Sequence, residues 1–138
     1  MVLSLQLPLG QRRDWCMMAR AVRILLADRN RHVRELLRRE LESEGYIVIV
    51  ARDAPEILGL LTQGELPDLL ILDPEVPYVI EANLQDRLRT FYPTLPVIIH
   101  SFHPGPPQGT VIADAAAFLE KAEDPHRLKA TIAALVAK

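Results

Sequence analysis

Short apolar segments alternate along the chain with longer amphipathic ones. The apolar segments are rich in leucine, isoleucine and valine, which predicts buried β-strands. They lie at 23–27, 46–51, 69–72, 97–99 and 117–120. Continuous apolar strands of this kind are typical of a parallel sheet covered on both faces.

Helical periodicity and helix-end signals fill most of the gaps between these strands. Asn30 is a good N-cap for a helix over 30–44, and Gly45 is a good residue to end it. A second helix is predicted over 54–62, with Asp53 or Ala54 at its start and Pro55 in its first turn. The third covers 79–91 and stops before Pro93, and the last begins at 124–125. Their buried faces are predicted to hold Val33, Leu36, Leu37 and Leu41 in the first helix, and Leu128, Ile132, Leu135 and Val136 in the last.

The segment between the fourth and fifth strands departs from this alternation. Residues 103–109 contain three prolines and two glycines, which is incompatible with a full helix. We expect a loop there, with at most one or two helical turns over 110–114. Five alternating units then predict an α/β fold: a flavodoxin-like, doubly wound, five-stranded parallel sheet of order 2-1-3-4-5, with its fourth helix short or replaced by a loop.

The composition narrows the class of protein. The 138 residues predict one domain over 21–138, and residues 1–20 are interpreted as an N-terminal tail or a misplaced start. A net charge of −2 does not favour nucleic acid as a partner, and no apolar run approaches the roughly 20 residues of a membrane helix. Cys16 is the only cysteine, which excludes an intrachain disulfide and favours a reducing, cytoplasmic location.

Polar side chains follow the predicted strands at one end of the sheet. Asp28 follows the first strand, Asp73 the third, Ser101 the fourth and Lys121 the fifth. Ligands and chemistry are found at the carboxyl ends of strands in open α/β sheets. These residues therefore form the candidate site.

Four segments in register are similar to the receiver domain of bacterial two-component response regulators. They are ILLAD at 24–28, PDLLILDPEVP at 67–77, PVIIHS at 96–101 and AAAFLEK at 115–121, and they cover the chain from about residue 20 onward. The resemblance implies that Asp73 is the phosphoacceptor, which receives a phosphoryl group from a histidine kinase or a phosphotransfer protein. It also implies that Lys121 and Ser101 contact that group, and that Phe118 is the aromatic residue that follows the hydroxyl during switching.

Simple physical chemistry allows these roles and also allows plainer ones. A carboxylate can act as a nucleophile and form an acyl phosphate, which needs positive charge around the migrating oxygens. However, Asp73 could be only a helix cap, Lys121 a solvated lysine, Ser101 a partner for strand-end backbone and Phe118 a core residue. The histidines His32, His100, His103 and His126 show no metal spacing and are interpreted as surface or locally hydrogen-bonded residues.

The sequence departs from the family at the metal site. Receivers usually carry two adjacent acids after the first strand, whereas this chain has Asp28 followed by Arg29. Asp28 and Asp73 remain as metal ligands, so Mg²⁺ binding is predicted to be weak or absent. Arg29 either pairs with Asp73 as a built-in cation or points outward with the other arginines of the first helix. Glu75 either repels a phosphoryl group or partly replaces the lost ligand.

A further departure follows Lys121, where Ala122 replaces the family's proline, so no cis peptide is expected there.

The combined interpretation is a stand-alone, atypical receiver that acts through protein–protein interaction and is not an enzyme beyond self-phosphorylation. We expect a downstream protein partner at the face formed by strand five, the last helix and the 102–114 loop. The lost metal ligand favours a pseudo-receiver, in which the fold is kept as a binding module whose state is set by Arg29 or by a partner. The alternative is an active phosphoacceptor with altered metal dependence. A flavodoxin-like cofactor or nucleotide binder would need a glycine-rich loop after the first strand, and 28–31 contains no glycine. The sequence leaves a homodimer open.

Overall fold

The fold is an alternation of parallel strands and helices. The computed structural model describes residues 21–63, 66–103, 115–122 and 124–137. In chain order these ranges form β1 (Arg23–Ala27), α1 (Arg31–Ser43), β2 (Ile47–Ala51), α2 (Ala54–Leu61), β3 (Leu69–Leu72), α3 (Leu84–Phe91), β4 (Val97–Ser101), β5 (Ala117–Glu120) and α4 (His126–Val136). All strand pairs are parallel and the order is β2-β1-β3-β4-β5. The predicted fold class and strand order are therefore confirmed.

Helices cover the sheet on both faces, which explains the continuous apolar strands. Leu70 and Leu72 of β3 pack in one core with α2 and α3, while Leu69 and Ile71 pack in a second core with α1 and α4. All four side chains are completely buried. The carboxyl ends of β1, β3, β4 and β5 consequently meet at one rigid edge.

The predicted helix ends are confirmed for α1 and α2. The side chain of Asn30 accepts hydrogen bonds from the backbone N–H groups of His32 and Val33, and Asp53 caps α2 by accepting from Glu56. Gly45 follows α1 with a φ of 94°, a conformation that glycine adopts without a Cβ clash. These caps fix the points at which the chain leaves the sheet.

Two sequence predictions about helices were wrong. The third helix begins at Leu84 and not at residue 79, because Tyr78 and Asn83 adopt left-handed backbone conformations with φ of 71° and 53°. Leu36 was placed on the buried face of α1, but its side chain is 46% exposed. The buried stripe of α1 is narrower than predicted and centres on Leu37 and Leu41.

The remaining elements differ from prediction only at their ends. β2 begins one residue later, at Ile47, and β4 continues to Ser101. The predicted tail at 1–20 and the predicted loop and turns at 104–114 lie outside the described residues. In the part of the chain that is described, no helix has the length and apolar character needed to cross a bilayer.

Candidate functional site

Asp73 lies at the carboxyl end of β3 and is almost fully buried. Its backbone N–H donates to the carbonyl of Ala27 at 2.8 Å, which continues the β1–β3 pairing to the edge of the sheet. Its Oδ1 accepts from the backbone N–H of Glu75 at 3.0 Å, and its Oδ2 accepts from that of Arg29 at 3.3 Å. The carboxylate is therefore held by backbone groups of two loops.

Asp28 lies beside Asp73 at the end of β1 and is equally buried. Its Oδ1 accepts from the backbone N–H of Asn30 at 2.8 Å. Burial raises the pKa of Asp28 above its ordinary value, while the hydrogen bond from Lys121 opposes that rise. The guanidinium of Arg34 donates to the backbone carbonyl of Asp28 at 2.7 Å, which further fixes this loop.

Lys121 joins the two buried carboxylates. Its Nζ lies 2.8 Å from Oδ2 of Asp28 and 3.3 Å from Oδ2 of Asp73, and its side chain is only 4% exposed. The lysine follows β5, and its backbone N–H donates to the carbonyl of Ser101 at 2.6 Å. The ring of Phe102 covers the ammonium group, with its centroid 4.7 Å from Nζ. This lysine is thus a buried structural cation and not a solvated surface residue.

Arg29 points into the site and not outward. Its Nε lies 3.5 Å from Oδ2 of Asp73, and its Nη1 lies 3.2 Å from Oε1 of Glu75. The other oxygen of Glu75 lies 3.6 Å from Nε2 of His103. The side chain of Arg29 is 43% exposed, so it lies on the solvent side of the site.

Ser101 and Phe118 flank this charged cluster. Ser101 is buried, and its Oγ accepts a hydrogen bond from the backbone N–H of His103 at 3.1 Å. Phe118 is half-buried and packs against the core beneath α2 and α3. The structure therefore brings together Asp28, Arg29, Asp73, Glu75 and Lys121, with Ser101 and Phe118 next to them and not in the charged contacts.

Cationic side chains already contact Asp28 and Asp73, the two residues predicted to remain as metal ligands. Three carboxylates face two cations, and Oδ2 of both buried aspartates already contacts Lys121. Within the described ranges, no three His, Cys, Asp or Glu residues are arranged to hold a metal ion. Mg²⁺ needs octahedral oxygen ligands, and a guanidinium contacts the carboxylate that would have to supply one of them.

Sequence reasoning missed two residues near the site. His100 was interpreted as a surface or locally hydrogen-bonded residue, but it is 5% exposed and its Nδ1 has no hydrogen-bond partner. Burial and the nearby Lys121 lower the pKa of His100 to about 4. Its place in a strand that is buried on both faces could have signalled burial, whereas the contact of Phe102 with Lys121 left no signal in the sequence.

The comparisons agree with the fold. The model of the response regulator receiver domain family matches residues 24–133. Most of the chain is matched, so this protein belongs to the response regulator receiver domain family and acts in two-component signalling.

Individual curated relatives align with only part of this chain. The response regulator MprA of Mycobacterium bovis is 38% identical over 79 residues, which make up 57% of this chain and 34% of that protein. The chain thus spans about a third of the length of the curated relatives it matches.

Solved structures cover more of the chain. The response regulator TrrA of Thermotoga maritima, solved in complex with Mg²⁺-BeF, matches with a TM-score of 0.74 and 27% identity over 83% of this chain and 99% of that one. TrrA in complex with the histidine kinase ThkA matches with a TM-score of 0.69 and 26% identity over 83% of this chain and 98% of that one. The chemotaxis response regulator CheY4 of Vibrio cholerae has a TM-score of 0.74 at 22% identity over 84% of this chain and 99% of that one, and supports the fold alone.

Proposed function

We propose that this chain is an atypical receiver in which Asp73 occupies the phosphoacceptor position and Arg29 acts as a built-in cation in place of a firmly bound Mg²⁺. The observation that carries this proposal is the pairing of one carboxylate oxygen with two side chains. Oδ2 of Asp73 lies 3.3 Å from Lys121 and 3.5 Å from Arg29. The domain then signals by binding other proteins in a state set by this pairing.

The electrostatics of the site support a receiver that resists phosphorylation. An arginine where the family carries an acid changes the local charge by two units, in the direction that repels a divalent cation. Glu75 adds a negative charge on the side from which an incoming phosphoryl group would approach. Its Oε1 also engages Arg29 at 3.2 Å, so the guanidinium is shared and only partly available to a phosphoryl oxygen.

A second candidate is an active phosphoacceptor with altered metal dependence. It is favoured by the position of Oδ1, which accepts a hydrogen bond from the backbone N–H of Glu75 at 3.0 Å. This oxygen could attack phosphorus while Lys121 and Arg29 stabilise the charge of the transferred group. A guanidinium can bind phosphoryl oxygens in a bidentate manner, which would supply part of what a metal supplies elsewhere.

We infer an upstream partner from the family and a downstream partner from the exposed face of β5 and α4. TrrA, which this chain resembles, was solved in complex with a histidine kinase. We infer that this chain meets a histidine kinase or a phosphotransfer protein in the cytoplasm, at the edge that carries Asp73. We place a downstream protein at the face of β5 and α4, where Glu120 and Arg127 are exposed.

Intact-mass spectrometry tests the proposal directly. The protein is incubated with acetyl phosphate, with and without Mg²⁺, beside Asp73→Asn as the matched control. We expect no phosphoryl mass gain under conditions that phosphorylate an active receiver domain treated in parallel. A gain that requires Asp73 would refute the pseudo-receiver and establish the second candidate.

The metal dependence of any gain then defines the role of Arg29. A gain that is equal with and without Mg²⁺ and is lost in Arg29→Ala would show that the guanidinium replaces the ion. A gain that needs Mg²⁺ and increases in Arg29→Ala would show that the guanidinium only obstructs the site.

A further inference from the structure

A cavity lies under the sheet edge and borders the charged cluster at Lys121. It has a volume of about 260 Å³, is partly open to solvent, and is lined by residues of β4, β5, α1 and α4 and of the segment between β5 and α4. Its walls include Leu37, Leu119 and Leu128, and exposed Glu120 and Arg127 line its rim. A dry cavity of about 150 Å³ is known to hold one benzene ring, so this space has room for a bicyclic molecule.

A buried imidazole supplies the polar group of this cavity. His100 lines it, is 5% exposed, and its Nδ1 is buried without a hydrogen-bond partner. Leaving a buried polar nitrogen unpaired destabilises the fold, so such atoms are rare unless something occupies the space beside them. The lowered pKa of about 4 keeps the ring neutral at pH 7, which leaves one ring nitrogen able to accept a hydrogen bond.

The cavity is distinct from the acid cluster and its helical walls are held in place. Neither Asp28 nor Asp73 is among the described residues that line it, although Lys121 borders both spaces. Nζ of Lys129 on α4 lies 2.7 Å from Glu40 and 3.5 Å from Glu44 at the end of α1. This interhelical contact holds the two walls together without filling the space between them.

We propose that this cavity binds a small, uncharged bicyclic heteroaromatic molecule whose ring N–H donates a hydrogen bond to Nδ1 of His100. Apolar side chains such as Leu37 and Leu128 beside a small number of polar groups are the usual composition of a small-molecule site. A neutral ligand is favoured because the interior offers a neutral imidazole, and because both carboxylates within reach of Lys121 already neutralise that cation. Nothing in this inference depends on whether Asp73 accepts a phosphoryl group.

The test is an NMR titration with indole as the probe and benzothiophene as its matched analogue without an N–H. We expect indole to shift the methyl signals of Leu37, Leu119 and Leu128 saturably. The affinity for indole should fall at least tenfold in His100→Val and stay unchanged in His126→Gln, which alters an exposed histidine on α4. Benzothiophene should bind more weakly than indole to the wild type and should not be weakened by His100→Val.

A measurement on the wild type keeps the test independent of the variant's folding. Saturating indole should move the ¹⁵N signal of Nδ1 of His100 in the direction expected of an accepted hydrogen bond. Three results would overturn the proposal: no saturable shift of the cavity methyls, equal indole affinity in wild type and a folded His100→Val, or an Nδ1 signal that indole does not change. The last would mean that water alone satisfies the nitrogen.

Discussion

Arg29 and Asp73 form an ion pair in which only the carboxylate is buried. Asp73 is 1% exposed, whereas the side chain of Arg29 is 43% exposed and reaches it with Nε at 3.5 Å from Oδ2. The pair is therefore open to solvent on its cationic side. A partner protein can reach the arginine without opening the core.

Arg29→Asp is expected to increase the affinity for Mg²⁺ at least tenfold. The change removes the cation that contacts Asp73 and adds a third carboxylate next to two buried ones, which suits the oxygen preference of Mg²⁺. Isothermal titration calorimetry measures the effect. The matched control is Arg38→Asp, which makes the same charge change on the exposed part of α1, where Arg38 pairs with Glu42. Equal affinities in Arg29→Asp and the wild type would mean that more than one departure disables the metal site.

Lys121→Met is expected to lower the free energy of unfolding by about 3–5 kcal/mol at pH 7, because it leaves two buried carboxylates without their shared cation. Lys121 opposes the rise in the pKa of Asp28, so its removal raises that pKa further. A protonated Asp28 carries no charge, and the loss should therefore shrink as the pH falls through the raised pKa. Urea denaturation at pH 7 and pH 5 measures both effects.

The control for this substitution is Lys129→Met. Lys129 also contacts two carboxylates, those of Glu40 and Glu44, but this cluster is more exposed. The decrease in the free energy of unfolding caused by Lys129→Met should be clearly smaller than that caused by Lys121→Met. It should also not shrink between pH 7 and pH 5 as the decrease from Lys121→Met does. A larger loss from Lys129→Met than from Lys121→Met would contradict the assignment of Lys121 as the central buried cation.

His100 should make the fold sensitive to mild acid. Its pKa is about 4 in the folded protein and 6.5 in the ordinary, unfolded environment, so the unfolded state binds the proton first as the pH falls. Stability is fully retained above pH 6.5 and decreases by up to about 3 kcal/mol between pH 6.5 and 4. His100→Val should abolish this part of the pH dependence in urea denaturation, whereas His126→Gln should retain it. Parallel curves for wild type and His100→Val would refute the prediction.

Asn30→Ala is expected to lower the free energy of unfolding by about 1 kcal/mol, within the usual range for the loss of an N-cap. Its Oδ1 accepts from two backbone N–H groups at 2.8 and 3.2 Å at the start of α1. Thermal or urea denaturation measures the change. Asn30→Ser should retain most of the stability, and a loss as large as that of Asn30→Ala would show that the side chain acts through something other than the cap.

The sequence predicted the sheet better than the helix that precedes β4. Strands such as β3 are recognisable because Leu69–Leu72 is a short apolar run that only a sheet buried on both faces can accommodate. The start of α3 was not recognisable, because residues 79–83 are compatible with a helix by composition. The helix starts only at Leu84 because Tyr78 and Asn83 adopt left-handed backbone conformations, and neither is a glycine that would have signalled a turn.

The candidate site was predictable to the extent that it depends on strand order. Parallel strands of order 2-1-3-4-5 place Asp28, Asp73 and Lys121 at one edge. In the structure, Oδ2 of Asp28 and Oδ2 of Asp73 lie 2.8 and 3.3 Å from Nζ of Lys121. The direction of Arg29 was left open, because a side chain in a loop can turn to either side. The burial of His100 was missed because its polar character outweighed its place in a strand that is buried on both faces.

The turn that replaces the first part of the predicted third helix has a consequence for the motions of the domain. α3 keeps only eight residues, and the side chain of its N-cap residue, Asn83, makes no capping hydrogen bond, although Leu84 anchors the helix in the core. Such a helix should open on its own, so its amide hydrogens should exchange with solvent through local fluctuations. Those of β3 and β4 should exchange only when the whole domain unfolds. A protein that binds this flank can therefore rearrange it while the sheet stays intact.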